Sequence, residues 1–168
     1  MSKEAISASK PHQTVLVSMR GEFSVMGKTR EVDNLITIDW HMPASFDPAM
    51  YVISVGKTRF SLSLLKKSRA FAVNFMGYDY KKEILYCGSQ SGMNVDKFKE
   101  TGLTKVDCET IECSYVKEAS AVLECEVVDE IGAGDHILFL AKILQYRNLK
   151  DDKRLLHMGG AEFTTTIR

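Results

Sequence analysis

A closed antiparallel β-barrel carrying a few short helices is the fold class predicted by this sequence of 168 residues. Three observations lead there. Most segments rich in β-branched and aromatic residues are short and joined by brief loops. The segment Leu35–Trp40 alternates apolar and polar residues with period 2. The helical patterns are few and short, which disfavours the strand–helix alternation of a parallel doubly wound sheet.

In chain order, residues 1–10 read as a loose polar arm on a single domain spanning 1–168. Thr14–Met19 (TVLVSM) is a β-branched strand, and Arg20–Asp33, with Gly21 and Gly27 among charges, turns over before the next one. In Leu35–Trp40, Ile36, Ile38 and Trp40 form an apolar face opposite Leu35, Thr37 and Asp39. A loop with two prolines, His41–Pro48, leads to a strand at Tyr51–Val55. Ser61–Ser68 fits a short helix with Ser61 as N-cap and Lys66 and Lys67 near its C-terminal end. Ala70–Phe75 is a strand; Tyr80–Cys87 is helical and stops at Gly88; Val95–Thr101 is a helical turn or two ending at Gly102. Leu103–Lys117 reads as short strands and turns. Ala121–Val128 and Ile137–Gln145 are longer strands flanking a hairpin turn at Glu130–Asp135, and Leu155–Gly160 leads into a short tail.

The bulk composition excludes several classes. Basic and acidic residues number 22 each, so no global field draws the chain to nucleic acid or an anionic membrane, and any anion binding must be local. No apolar run approaches the roughly 20 residues that span a bilayer. The polar start MSKEAISASKPHQ lacks the apolar centre of a signal peptide, so a cytoplasmic location is expected. Cys87, Cys108, Cys113 and Cys125 have no CxxC pair and no matching histidine spacing, and read as reduced structural thiols, with a metal or redox role as the alternative; no metal ligand is singled out.

Three groups of residues carry candidate chemistry. Lys57, Arg59 and Ser61 sit at alternate positions, which in an extended segment point one way, ahead of a helix N-terminus. A guanidinium fork, an ammonium and a hydroxyl suit a terminal phosphate, and a solvated basic turn is the bland alternative. The run Gly88, Ser89, Gln90, Ser91, Gly92 permits close backbone approach to a ligand, although an ordinary interhelical loop would look the same; it is not a P-loop. His136, beside Asp135 at the end of a turn, could face a flat ligand or simply solvent. No GxSxG elbow, HExxH or GxGxxG occurs.

Several runs together resemble the flavin reductase-like family of FMN-binding split barrels. They are N-x-x-T-x-x-W-x-x-P-x-S-F-x-P (Asn34, Thr37, Trp40, Pro43, Ser45, Phe46, Pro48) and S-x-G-K-x-R-x-S at Ser54–Ser61. The others are C-G-x-x-S-G with V-D-K-F (Cys87–Gly92, Val95–Phe98), L-E-C-x-V-V-D (Leu123–Asp129), G-D-H (Gly134–His136) and L-H-x-G-G (Leu156–Gly160). They occur in the family's order over about Pro11–Phe163, and the chain looks closest to flavoredoxin-like prokaryotic or archaeal members. Ala49 stands where a second proline often follows Pro48, and Ser61 where threonine is frequent.

The resemblance implies a six-stranded antiparallel split barrel of Greek-key type, assembled as a homodimer with FMN near the subunit interface. The strand bearing Asn34, Thr37 and Trp40, and the loop Pro43, Ala44, Ser45, Phe46, would run along the isoalloxazine and ribityl chain. Lys57, Arg59 and Ser61 would hold the phosphate, with Cys87, Gly88, Ser89 and Ser91 closing on it. His136 would lie on the nicotinamide or substrate side, as the candidate catalytic residue. Function then divides three ways. One is an NAD(P)H-dependent flavin reductase, passing hydride from NADH or NADPH to flavin N5 and electrons to an acceptor protein, free flavin or ferric iron. The second is a flavoredoxin-type electron carrier, and the third a split-barrel binding protein without flavin.

Overall fold

The computed structural model describes residues 2–25 and 27–166. The arm carries a short helix, α1 (Ser2–Ser7); its first residue, Met1, lies outside the described residues. Twelve strands and three further helices follow among them. These are β1 (His12–Gln13), β2 (Val15–Val25), β3 (Lys28–Ile38), β4 (His41–Phe46), β5 (Ala49–Gly56), α2 (Phe60–Ser68), β6 (Ala70–Phe75), a 3-10 turn at Tyr78–Tyr80, α3 (Lys81–Ser89) and α4 (Lys97–Thr101). The chain continues through β7 (Lys105–Asp107), β8 (Ser114–Val116), β9 (Ala121–Ala133), β10 (His136–Asn148), β11 (Leu155–Gly159) and β12 (Glu162–Thr165).

Seven strands make the main antiparallel sheet in the order β3-β2-β6-β9-β10-β5-β4. β3 and β4 stand at its opposite edges, yet only Asp39 and Trp40 separate them in the chain. Three peptide steps span about 11 Å at most. The sheet must therefore curl until its edges meet, and the class is the split barrel expected, with one more strand in its main sheet. Two small sheets, β1-β11-β12 and β7-β8, lie outside it.

The central strands are buried on both faces, which explains their nearly continuous apolar runs. Val15, Val17, Met19, Ile36, Ile38, Phe71, Val73 and Phe139 fill one core, and Leu64 and Leu65 of α2 enter the same core. Leu16, Leu35, Ala72, Ile84, Phe98 and Leu155 form a second, into which α3 and α4 pack.

Several expectations change. Arg20–Asp33 turns over as expected, but its arms are paired strand: β2 and β3 stay in register from Val15↔Ile38 to Val25↔Lys28, because cross-strand pairs such as Arg20–Asp33, bonded at 2.9 Å, sustain pairing of a charged hairpin. Met26, within it, lies outside the described residues. The proline-bearing stretch His41–Phe46 is an edge strand, where a missing N–H is tolerated on the unpaired side. The Glu130–Asp135 turn shrinks to Gly134 and Asp135 because β9 and β10 extend into it, with Gly134 at φ 60°. α3 runs through Gly88 to Ser89, whereas Gly102, at φ 71°, ends α4 as expected. α4 begins at Lys97, capped by the Asp96 carboxylate, which accepts from Lys99 N at 3.2 Å. Among the described residues no helix is long and apolar enough to cross a membrane.

Candidate functional site

Two cavities share walls at one end of the barrel. The wider, about 660 Å³, is bounded by Ile36–Trp40, by Ser54–Gly56 of β5, by Arg59, and by Asp135 and His136 at the β9–β10 turn. The narrower, about 110 Å³, lies between Arg59–Ser61 at the start of α2 and the segment Cys87–Gly92, with Lys97 behind it. Ile36 and Arg59 line both, so the two form one cleft.

The narrow end is polar. Asn34, buried on β3, donates from Nδ2 to Ser61 Oγ at 2.8 Å, while its Oδ1 is buried without a partner. A Cβ on Gly92 would stand 2.0 Å from that oxygen, so only glycine lets the loop pass there. Lys97 is 3% exposed, and its Nζ donates to Leu35 O at 2.7 Å and Cys87 O at 2.6 Å. Burial pushes this ammonium down to about 8; Cys87 opposes that and the Arg59 charge adds to it. The buried Cys87 thiol is pushed up by its burial to about 11, and it is neutral at pH 7. The N-terminal end of the α2 dipole adds positive potential at the same point.

The wide end is aromatic. Trp40, 39% exposed, packs against His136 with ring centroids 4.7 Å apart and planes at 42°. His136 Nδ1 faces Asp135 Oδ1 at 2.7 Å, and the imidazole holds that exposed carboxylate below its ordinary range. Asp39, next to Trp40, accepts from Thr14 Oγ1 at 2.7 Å and bonds His157 Nδ1. Ser54 N donates to Trp40 O at 2.9 Å. The two-residue link between the sheet edges is thus held from three directions.

Residues 10–166 match the family described as "Flavin reductase like domain". The chain belongs to the flavin reductase-like family. An uncharacterised protein of Archaeoglobus fulgidus is 33% identical over 145 residues, covering 80% of this chain and 82% of its own. Two solved structures share the fold. The NADH:FAD oxidoreductase SgcE6 of Streptomyces globisporus superposes with a TM-score of 0.84 at 20% identity, over 99% of this chain and 92% of that one. An FMN-binding protein from Thermus thermophilus superposes with a TM-score of 0.80 at 23% identity, over 94% and 87%.

In this flavin reductase-like chain the predicted residues divide. Asn34, Arg59, Ser61, Cys87, Gly88, Ser89 and Ser91 converge on the narrow end and Thr37, Trp40 and His136 on the wide one. The same-side geometry expected for Lys57, Arg59 and Ser61 does not form, because Lys57 and Thr58 make a turn and Phe60 opens α2. Arg59 occupies the N-cap position and Ser61 is buried in the first turn, tied to Asn34 instead of capping. Lys57 is exposed, contributes a backbone bond to Asp135 O at 2.9 Å, and lines neither cavity.

Thr37 and Gly88 act on one another. Thr37 Oγ1 donates to Ile84 O at 2.6 Å, and a Cβ on Gly88 would sit 3.3 Å from Thr37 Cβ, so together they seat α3 on β3. Ser89 Oγ donates to Tyr86 O at 3.1 Å, and Ser91 Oγ accepts from Met93 N at 3.3 Å, shaping the loop locally. Pro43, Ala44, Ser45 and Phe46 line neither cavity; they lie on the edge strand β4, with Phe46 fully exposed. Lys97 carries no sequence signal of a site residue beyond its place beside Phe98 in the V-D-K-F run, on the buried side of α4.

Proposed function

We propose that the cleft binds FMN, terminal phosphate at the narrow end and ring system at the wide end, and that the protein is an NAD(P)H-dependent flavin reductase. The observation that carries this reading is the continuity of the cleft, from a cationic end at Arg59 and Lys97 to an aromatic wall at Trp40 and His136. The residues present fit that group. Gly88 and Gly92 leave the backbone close to the cavity, and the small volume of the narrow end suits one phosphate.

Arg59, Lys97 and the N-terminal end of the α2 dipole neutralise the anion. Trp40 and His136 orient a planar donor against the ring site, and Asp135 fixes the imidazole. A bound FMN supplies the redox chemistry, two-electron acceptance from NADH or NADPH and delivery to an acceptor protein, free flavin or ferric iron.

We also read the protein as a homodimer with the cleft near its interface. Trp40, Met42 and Phe46 are exposed, and an apolar hollow of about 490 Å³ lined by Ile6, Trp40, Met42, Val52 and Leu138 adjoins the cleft through Trp40. Sedimentation of the wild type and of Phe46→Glu tests this, with a dimer expected only for the former.

The functional test is the visible spectrum of the protein after adding FMN, followed by anaerobic NADH and then NADPH. Uptake of flavin and rapid bleaching by one nucleotide is expected. Uptake without bleaching would leave an electron carrier of flavoredoxin type. No uptake would overturn the flavin reading and leave a split-barrel binding protein.

A further inference from the structure

We propose that Cys108 and Cys113 form a reversible dithiol–disulfide pair, closed by exchange with a low-molecular-weight disulfide. The two residues flank the tip of the β7–β8 hairpin. Lys105 faces Val116, Val106 faces Tyr115 and Asp107 faces Ser114, so the next opposed pair is Cys108 and Cys113. Cys108 N donates to Cys113 O at 2.9 Å, which continues the ladder to that pair. Opposed residues of an antiparallel pair share a face, with Cβ atoms about 4.5–5.5 Å apart. That is close to the spacing of about 3.5–4.5 Å that a disulfide requires. Both thiols are free and interact directly, side chain to side chain.

The loop between them is held in advance. Glu124, fully buried on β9, accepts from Glu109 N at 3.1 Å, Thr110 N at 2.8 Å and Thr110 Oγ1 at 2.7 Å. Arg147 holds the same carboxylate at 3.1 Å. Residues 109 and 110 are thereby anchored to the barrel, and the two sulfurs stay opposed without ordering a flexible loop. Cys87 and Cys125 are buried on separate elements.

Cys108, the half-buried member, attacks first. Its thiol loses a proton to solvent, and its sulfur attacks one sulfur of the small disulfide. That S–S bond breaks, one small thiol leaves, and a mixed disulfide remains on Cys108. Cys113 Sγ, which donates to Ser18 O at 3.3 Å, then gives up its proton and attacks Cys108 Sγ, expelling the second small thiol. Two protein thiols are oxidised and one small disulfide is reduced to two thiols. The groups facing Cys108 are Cys113 and Glu124, which hold its proton on together with burial, and Arg147, which opposes them. The first step therefore quickens as pH rises.

The test incubates the folded full-length protein with oxidised glutathione, alkylates the remaining thiols, and maps peptides. Two of the four thiols should disappear without a retained glutathione adduct, and the new bond should lie within the tryptic peptide 106–117. Dithiothreitol should restore all four, and Cys113→Ser should trap glutathione on Cys108. Four persistent thiols, a stable adduct on wild-type Cys108, or a bridge to Cys87 or Cys125 would each overturn the proposal. The wild-type map decides alone should the variant fail to fold.

Discussion

Asn34 and Ser61, twenty-seven residues apart, are joined at 2.8 Å in the buried floor of the cleft, and that bond ties β3 to the first turn of α2. The other amide atom, Oδ1, is left facing Gly92 with no donor. Replacing Asn34 with Ala strips Ser61 of its partner and opens a hole. We expect a loss of about 1–3 kcal/mol in urea unfolding, together with weaker FMN binding by fluorescence titration. An unchanged unfolding midpoint would contradict the assigned contact.

Gly92→Ala tests the close approach from the other side. A Cβ 2.0 Å from Asn34 Oδ1 cannot be accommodated without moving the loop. FMN affinity should fall about tenfold, equivalent to ~1.4 kcal/mol, whereas Gly132→Ala, whose Cβ meets nothing within 4 Å, should leave it unchanged.

Arg59 lines the narrow cavity and the exposed Lys57 does not, so the two cations separate. Arg59→Ala should weaken FMN binding by about 1.5–3 kcal/mol, the range for a charge-assisted hydrogen bond. Lys57→Ala should stay within about twofold. Equal effects in the same titration would return the phosphate to the solvent side of the turn.

Lys97 supplies a pH signature. Its ammonium is depressed by burial to about 8, so without ligand it loses its proton as pH rises through 8. A phosphate nearby favours the charged form, so binding takes up a proton and FMN affinity should decline above pH 8. The sign for folding is opposite: the unfolded lysine binds more protons between about 8 and its ordinary 10.5, so the Lys97 contribution to stability rises with pH there. Lys97→Met should abolish both slopes. Calorimetric titration and urea unfolding from pH 7 to 10 would read them.

Glu124 gives the acid-side counterpart. Burial alone would raise this carboxyl, but bonds from Thr110, Glu109 and Arg147 outweigh it and hold the group below its usual 4.5. Its contribution to stability is present above 4.5 and is lost as pH falls through the lower folded value. Glu124→Gln should be less stable than wild type at pH 7, and the gap should narrow toward pH 3 in thermal melts.

His136→Phe keeps a ring against Trp40 and removes the bond to Asp135. FMN affinity should hold within about twofold, while flavin reduction by the preferred nucleotide slows about tenfold, the scale of a lost orienting contact. Stopped-flow bleaching separates the two. A change in affinity without a change in rate would make His136 part of the flavin wall alone.

Much of the barrel was legible because strand signals are local. The alternation of Ile36 and Ile38 with Thr37 and Asp39, the glycine ending α4 and the paired runs behind β9 and β10 all depend on near neighbours. Errors fell where pairing overrode composition, as in the charged arms of β2 and β3 and the proline-bearing β4. The cationic and glycine-rich segments were legible as candidates by residue type. Their roles were not, since Lys57 and Ser61 exchanged importance once a turn replaced the extended geometry.

Taken alone, the sequence determined an antiparallel barrel of the flavin reductase-like family and the segments that form its cleft. Those properties rest on periodicity, turn residues and ordered motifs that neighbouring residues carry. Only tertiary structure decided that Lys97 reaches back to Leu35 across 62 positions, that His157 bonds Asp39 across 118, and that Trp40 meets His136. Such contacts are set by sheet order and closure, which bring distant residues within hydrogen-bonding range, and no local pattern encodes which distant residue arrives.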